Sequence, residues 1–302
     1  MALKTLWFEL LRTAALVYPN NGLKEDINRL KHLGRALLRL RHTTQLLSLL
    51  KQPGVKELAQ RHPRIFSRLQ WPYLTHRFGT SQKLSALKQH YAFVSEQLPP
   101  PITAAFAQGE PWPLVSIPLD DAETLGLALR FGIFEKEGEL SLSLRSESTG
   151  EWISTVSFTV VHWTPHRREI LIAGIQGHDF SDEKARIVSI TRAMRGMRPK
   201  ALVLYALQQL ALEWNMTGLQ AVGNKLHIYR SLRKRKEIQS DYDLFWTESA
   251  GVLNAEDLFD LPLTPPVRDV AEIKPNKRSM YRQRYALLEG LAPQIRVAVR
   301  SL

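Results

Sequence analysis

Four strand-length runs follow one another between residues 125 and 177: LGLALRFGIF (125–134), ELSLSLRS (139–146), WISTVSFTVVHW (152–163) and EILIAGIQG (169–177). Each alternates polar with apolar residues or stays apolar over the length of a strand. The joins between them, KEG and STGE among them, are too short to hold a crossover helix. Runs joined in this way pair as an antiparallel meander. That sheet needs cover, and the chain supplies it at 199–215, where Ala201 to Leu207, Leu210 to Leu212 and Trp214 leave no polar face. A helix apolar all round is a buried one, so it packs across the sheet.

The period is different on either side. Residues 3–17 place Leu3, Trp7, Leu10, Leu11 and Ala14 at helical spacing, and 22–98 continue as helices broken near Pro53-Gly54, Pro63 and Pro72. PNNG (19–22) and LPPPI (98–102) read as turn or linker chemistry. The triple proline divides a helical N-terminal region, 1–100, from a mixed-sheet domain, 101–302. Beyond the meander come a helical stretch (183–195), the buried helix, a short strand LQAVGN (219–224), the start of another helix at KLHIYRSL, and an extension from 251 to 302. The fold class expected is α+β or α/β, with a mixed, largely antiparallel sheet packed with helices.

The net charge is +12 over 302 residues, and it is unevenly placed. Residues 1–110 hold sixteen Lys/Arg against six Asp/Glu, and 192–237 hold ten against two. Such a surplus attracts polyanions, which makes a membrane surface, RNA or an anionic ligand the expected partner. The chain has no cysteine, so it forms no disulfide, thiolate nucleophile or cysteine-ligated metal site. No run nears the roughly 18 apolar residues of a membrane span, and Glu9 and Arg12 interrupt the N-terminal apolar stretch. A cytoplasmic location is expected, peripheral at the inner membrane at most.

Cations crowd the entrance to the buried helix in TRAMRGMRPK: Arg192, Arg195, Arg198 and Lys200. A helix N-terminus disfavours each by a few tenths to about 1 kcal/mol unless an anion sits among them. Pro199 suits the first helical position, and Gly196 allows close approach. Arg195, Gly196, Arg198 and Lys200 thus have the composition of a phosphate or pyrophosphate site, though without the Walker pattern of a P-loop. A second focus lies at IAGIQG, where Gln176 and Gly177 end a strand and His178 follows as an acid–base candidate. His162 and His166 stand four apart, but Pro165 and the strand context spoil that spacing for a metal, and no metal site is expected. The basic runs SLRKRKE (231–237) and NKRSMYRQRY (276–285), the latter with Tyr281 and Tyr285, suit nucleic-acid or lipid headgroups.

In IAGIQG, RGMRPK, DYDLFWTESAG, LPLTP and NKRSMYRQRY the sequence resembles the VirK/YbjX family of Gram-negative bacteria, from about residue 20 to the C-terminus. That resemblance implies roles in virulence, resistance to cationic antimicrobial peptides and upkeep of the cell surface. A second resemblance, at about 125–250, is to the core of GNAT-type N-acyltransferases. It implies that the 195–200 loop holds the pyrophosphate of acyl-CoA. Asn224 and Tyr229 fall near that family's Asn and Tyr, the tyrosine acting as general acid toward the leaving thiolate. The family's Gln/Arg-x-x-Gly-x-Gly/Ala loop and the Gly-Phe after the tyrosine are missing. Two functions follow: an acyl- or aminoacyl-transferase using acyl-CoA or charged tRNA, or a non-enzymatic basic factor binding anionic lipid or RNA.

Overall fold

In a computed structural model of the chain, residues 3–119, 123–164, 166–177, 183–230 and 241–300 are described. Eight strands form one sheet in the order β1-β2-β3-β4-β5-β6-β8-β7. β1 (Trp112–Pro118), β2 (Thr124–Phe131), β3 (Leu140–Ser146), β4 (Trp152–Thr164) and β5 (Arg167–Gly177) make the antiparallel meander. β6 (Gly218–Val222) then adds parallel to β5, and β8 (Leu258–Leu261) and β7 (Val252–Leu253) close the edge antiparallel. The sheet is mixed and largely antiparallel, as its sequence pattern implies. β1, β7 and β8 were not anticipated. β1 is broken by Pro113 and Pro118, and β7 and β8 are two and four residues long, which is too short for a period to register.

Ten α-helices surround the sheet among the described residues. Seven of them are α1 (Leu3–Val17), α2 (Leu23–Leu38), α3 (Leu40–Leu49), α4 (Val55–Arg61), α5 (Thr80–Gln97), α6 (Pro100–Gln108) and α7 (Glu183–Ala193). α8 (Pro199–Glu213), α9 (Tyr242–Glu248) and α10 (Pro275–Val297) follow. α8 is the apolar helix, and it lies against β3, β4, β5 and β6. The triple proline does not make a linker: Pro99 is the N-cap of α6 and Pro100 its first residue, where a missing N–H costs nothing. KLHIYRSL yields only a 3₁₀ turn at Ile228–Arg230 before the described residues stop at 230.

The helices α3, α4 and α5 share the core of the sheet. One cluster of buried apolar side chains runs from Leu46 through Phe131, Phe158 and Leu207 to Val299. Polar ties cross the same boundary. Gln89 of α5 accepts from the His162 N–H and donates to its carbonyl, and His90 Nδ1 accepts from Val160 N. α1 docks through Leu6, Leu10 and Ala14 onto Leu33 and Ala36 of α2 and Leu47 of α3. α10 straps the far side, with Tyr205 donating to Leu288 O, Arg296 to Gln209, and Arg300 pairing with Glu213.

Both faces of the meander are covered. Ser141 bonds Ser157 across β3–β4 at 3.0 Å and Ser143 bonds Thr155 at 2.8 Å, all four buried. The SLSLRS and STVSFT alternation therefore places hydroxyls in a buried polar seam, away from bulk water.

Candidate functional site

The parallel β5–β6 pairing is short. It joins Glu169–Ile172 to Gly218–Ala221, whereas β5 runs on beside β4 as far as Gly177. Past Ile172 the two central strands part, and five residues of β5 face side chains brought from elsewhere. In sheets with parallel strands, the region beyond the strands' carboxyl ends is where ligands are bound.

The principal group there is Glu137, from the β2–β3 connection. That connection folds back over the sheet because Gly138 adopts φ +153° in contact with the Phe158 backbone, where any Cβ would collide. Two carboxylates enter the interior as a result. Burial pushes the Glu139 carboxyl up, but the Arg68 guanidinium at 2.7 Å and the Tyr91 hydroxyl at 2.7 Å outweigh it and hold the group below the usual carboxylate range. Glu137 has no such cation. Burial pushes it up to about 8, and the Gln176 amide, 2.8 Å from each carboxyl oxygen, recovers only part of the shift. The carboxyl rests directly over Gly174, and a methyl group at that position would clash with it.

His227 stands beside it, Nε2 3.8 Å from Glu137 Oε1. Burial draws its pKa down to about 4, so at neutral pH the ring is uncharged and the two do not form an ion pair. Nδ1 accepts from the Tyr229 backbone N–H, which leaves the proton on Nε2, the nitrogen nearer Glu137. The ring is stacked on Tyr242 at 4.7 Å, with Tyr229 at 5.5 Å. Burial, then the neighbouring Glu137, pushes the Tyr242 hydroxyl well above its usual value. Tyr229 and Gln176 are half-buried and form the outer rim, and the Lys136 ammonium lies 5.6 Å from the Tyr229 ring centroid.

Asn224 works behind this cluster. Its amide donates to Asp241, its carbonyl oxygen accepts from Tyr242 N, and its own N–H donates to Asp243. These bonds tie the end of β6 to the N-terminus of α9, where Asp241 is the N-cap accepting from Leu244 N. Asn224 thereby fixes the position of Tyr242.

The second expected constellation is held by other elements. Arg198 is the N-cap of α8 and pairs with the exposed Glu248 at 3.2 Å. Arg195 adopts φ +55°, and its carbonyl accepts two bonds from Arg284 of α10. Gly196, at φ +76°, is so close to Arg284 and Met280 that a side chain would clash. Part of the basic run 276–285 thus packs against this turn. α9 connects the two places, with Tyr242 in the first and Glu248 six residues on at the second, a rise of about 9 Å.

Gln176, Asn224 and Tyr229 are therefore brought together, and Gly177 ends β5 beside them. Arg195, Gly196, Arg198 and Lys200 gather at the α7–α8 turn. His178 and the run 231–237 lie outside the described residues. Glu137, His227 and Tyr242 were not anticipated, whereas Gly174 is the first of the two glycines that flank Gln176 in IAGIQG. The signal for Glu137 is the E-K-E-G-E string between two strands, with a glycine that lets its carboxylates turn inward.

The described residues contain no group of three or more His, Asp or Glu able to hold a metal ion, and no helix long and apolar enough to cross a membrane. Among solved structures, the chain overlaps a cAMP-binding acyltransferase from Mycobacterium smegmatis. That overlap covers 72% of this chain and 63% of that one, at 12% identity and a TM-score of 0.29. It is too loose to transfer residues. Among proteins, "Uncharacterized protein YbjX" of Escherichia coli strain K12 is 32% identical over 90% of this chain and 84% of its own length. A Haemophilus influenzae protein is 28% identical over 72% of each. The family described as "Protein of unknown function (DUF535)" matches residues 21–297. With that span and the YbjX similarity, the chain belongs to this YbjX-containing family.

Proposed function

We propose that the chain is an acyl- or aminoacyl-transferase whose acid–base group is Glu137. The observation that supports it is a carboxyl held at about 8 by burial, beside a neutral histidine and two tyrosines, where β5 and β6 part. A group that gains and loses its proton near neutral pH suits general acid–base catalysis. An amine or hydroxyl attacks the donor carbonyl carbon, and its proton passes to the Glu137 carboxylate. The C–S or C–O bond to the carrier breaks, and Tyr229 protonates the leaving thiolate or alkoxide. The Glu137 proton then returns to the tyrosine, directly or through water. Gln176 and His227 position the carboxyl. Arg195, Arg198, Lys200 and the amides opening α8 hold the anionic part of an acyl-CoA or charged-tRNA donor. The setting is the cytoplasmic side of the bacterial envelope, and the envelope, virulence and peptide-resistance roles implied by the VirK/YbjX resemblance belong to the same proposal.

Acyl-CoA should raise the melting temperature, and Arg198→Ala should remove that shift. Glu137→Gln should keep binding but lose transfer by 10²-fold or more. If neither a CoA thioester nor charged tRNA binds, the reading fails.

One observation favours a second, lipid-binding reading over an RNA-binding one. Leu23, Ile27, Leu30, Leu37 and Leu38 are exposed at helical spacing along the outer side of α2, and Trp7, Phe8 and Leu11 are exposed on α1. Lys4, Arg12, Lys24 and Lys31 accompany them. An outward apolar stripe flanked by cations suits an anionic bilayer surface, whereas RNA gives the leucines nothing to bury against. Leu23→Ser/Leu30→Ser should lose retention on phosphatidylglycerol vesicles, and unchanged retention would remove this reading.

A further inference from the structure

We infer that the cleft between the N-terminal helices and the β2–β3 connection is a binding site for a phosphate group. The cleft has a volume of about 670 Å³. It is walled by the α1–α2 turn, the first turns of α2, the 3₁₀ helix Pro63–Gln70, and Glu135–Lys136. Two adjacent lining groups call for a ligand. Arg68 is only 5% exposed, and its Nε donates to Glu139. Its two terminal nitrogens have no hydrogen-bond partner among the described residues. Ser67 is buried and its hydroxyl has no partner either. Of the two, the Ser67 hydroxyl is the fully buried donor left without a partner; buried donors are satisfied in nearly all folded proteins, and leaving one unsatisfied is costly.

The surroundings set the sign of that ligand. Lys24, Arg61, Arg64 and Lys136 also line the cleft, against Glu25 and Glu135; Arg64 and Glu135 pair with each other at 3.4 Å, which leaves Lys24, Arg61 and Lys136 against Glu25. The balance is positive, so the ligand is an anion. A planar guanidinium next to a hydroxyl matches the several acceptor oxygens of a phosphate. With this many cations, a phosphate dianion is neutralised where a single carboxylate would leave charge in excess. Lys24 also follows Leu23, where the exposed apolar stripe of α2 begins. A soluble phosphate ester and a phospholipid headgroup therefore share the chemistry required. This site is built from different elements than the α7–α8 turn, although it shares the β2–β3 connection, and Lys136, with the surroundings of Glu137.

The test is calorimetric titration of the full chain with inorganic pyrophosphate and glycerol 3-phosphate, alongside sedimentation with phosphatidylcholine vesicles with and without phosphatidic acid. Saturable binding is expected. It should weaken tenfold or more in Arg64→Gln/Lys136→Gln and in Arg68→Lys, which keeps a cation for Glu139 but removes the fork, and should persist in Arg198→Ala. If Arg68→Lys does not fold, the Arg64/Lys136 pair decides alone. Binding of the soluble esters with this variant pattern assigns a free phosphate ester. Binding of phosphatidic acid vesicles alone, with the same pattern, assigns a headgroup. No saturable binding of any probe, or binding lost in Arg198→Ala and kept in the cleft variants, would overturn the proposal.

Discussion

Glu137 and Glu139 leave the same hairpin two residues apart, and their surroundings drive them in opposite directions. Glu139 meets a guanidinium and stays ionised, while Glu137 meets an amide and keeps its proton to about pH 8. Environments that separate two carboxyls in this way commonly divide acid–base roles between them. The sign for stability is fixed by the same shift. Between pH 4.5 and 8 the unfolded chain releases the Glu137 proton and the folded chain retains it, so this group's contribution falls as pH rises and is level above 8. Glu137→Gln removes that loss. Its melting temperature should exceed the wild type's at pH 9 and match it near pH 4.5, as read by paired thermal melts. Gly174→Ala should displace the carboxyl and destabilise by about 1–3 kcal/mol, measured by urea unfolding. Glu137 did not stand out in the sequence, whereas Gly174 belongs to the glycine-flanked strand end IAGIQG. A Glu in the charged turn EKEGE looks solvated, and only the fold-back permitted by Gly138 brings it inside.

Among the elements, α9 does most to organise the site, although it is seven residues long. A helix this short is marginal on its own. It is fixed by Asn224 at its start, by Trp246 Nε1 donating to Val222 O, and by the buried Trp246 ring. Asn224→Ala should cost ~1–2 kcal/mol of stability through the lost bonds. It should also loosen the Tyr242–His227 stack, visible as broadened aromatic resonances, with far-UV dichroism unchanged. The larger elements were legible because their periods are strong. The four meander strands and α8 follow directly from alternation and from an apolar surface with no polar side. The polar face of β3 and β4 was harder to interpret, since Ser141, Ser143, Thr155 and Ser157 alternate as solvent-facing residues do. They are buried because helices cover both sides of the sheet, and no local pattern shows that. The LPPPI stretch also pointed away from its structure, because prolines that break a helix interior are well placed at a helix start.

For the whole molecule, one continuous core joins helices before residue 100 to the sheet, so helical region and sheet should unfold together. Three buried histidines impose a shared acid limit. His32, His90 and His227 are each drawn down to about 4 by burial. Unfolding lets them take up protons below about pH 6.5, so their contribution is present above that pH and is lost as pH falls toward 4. His32 Nδ1 has no partner among the described residues, and His32→Leu should therefore flatten the acid limb of a stability–pH curve without disturbing the Glu137 site. The positive charge is distributed over separate surfaces: the α2 face and the cleft beside it, the α7–α8 turn, and the α10 strap. These surfaces are not separable by net charge alone, because each depends on which neighbours the fold brings to a given Arg or Lys. The central claim is that burial leaves Glu137 protonated into the neutral range, at the point where β5 and β6 part. Carbon-13 NMR titration of labelled glutamate carboxyls, with Glu137→Gln identifying the resonance, tests it most directly. A midpoint near 8 is predicted, and a carboxyl already ionised at pH 6 would contradict the account.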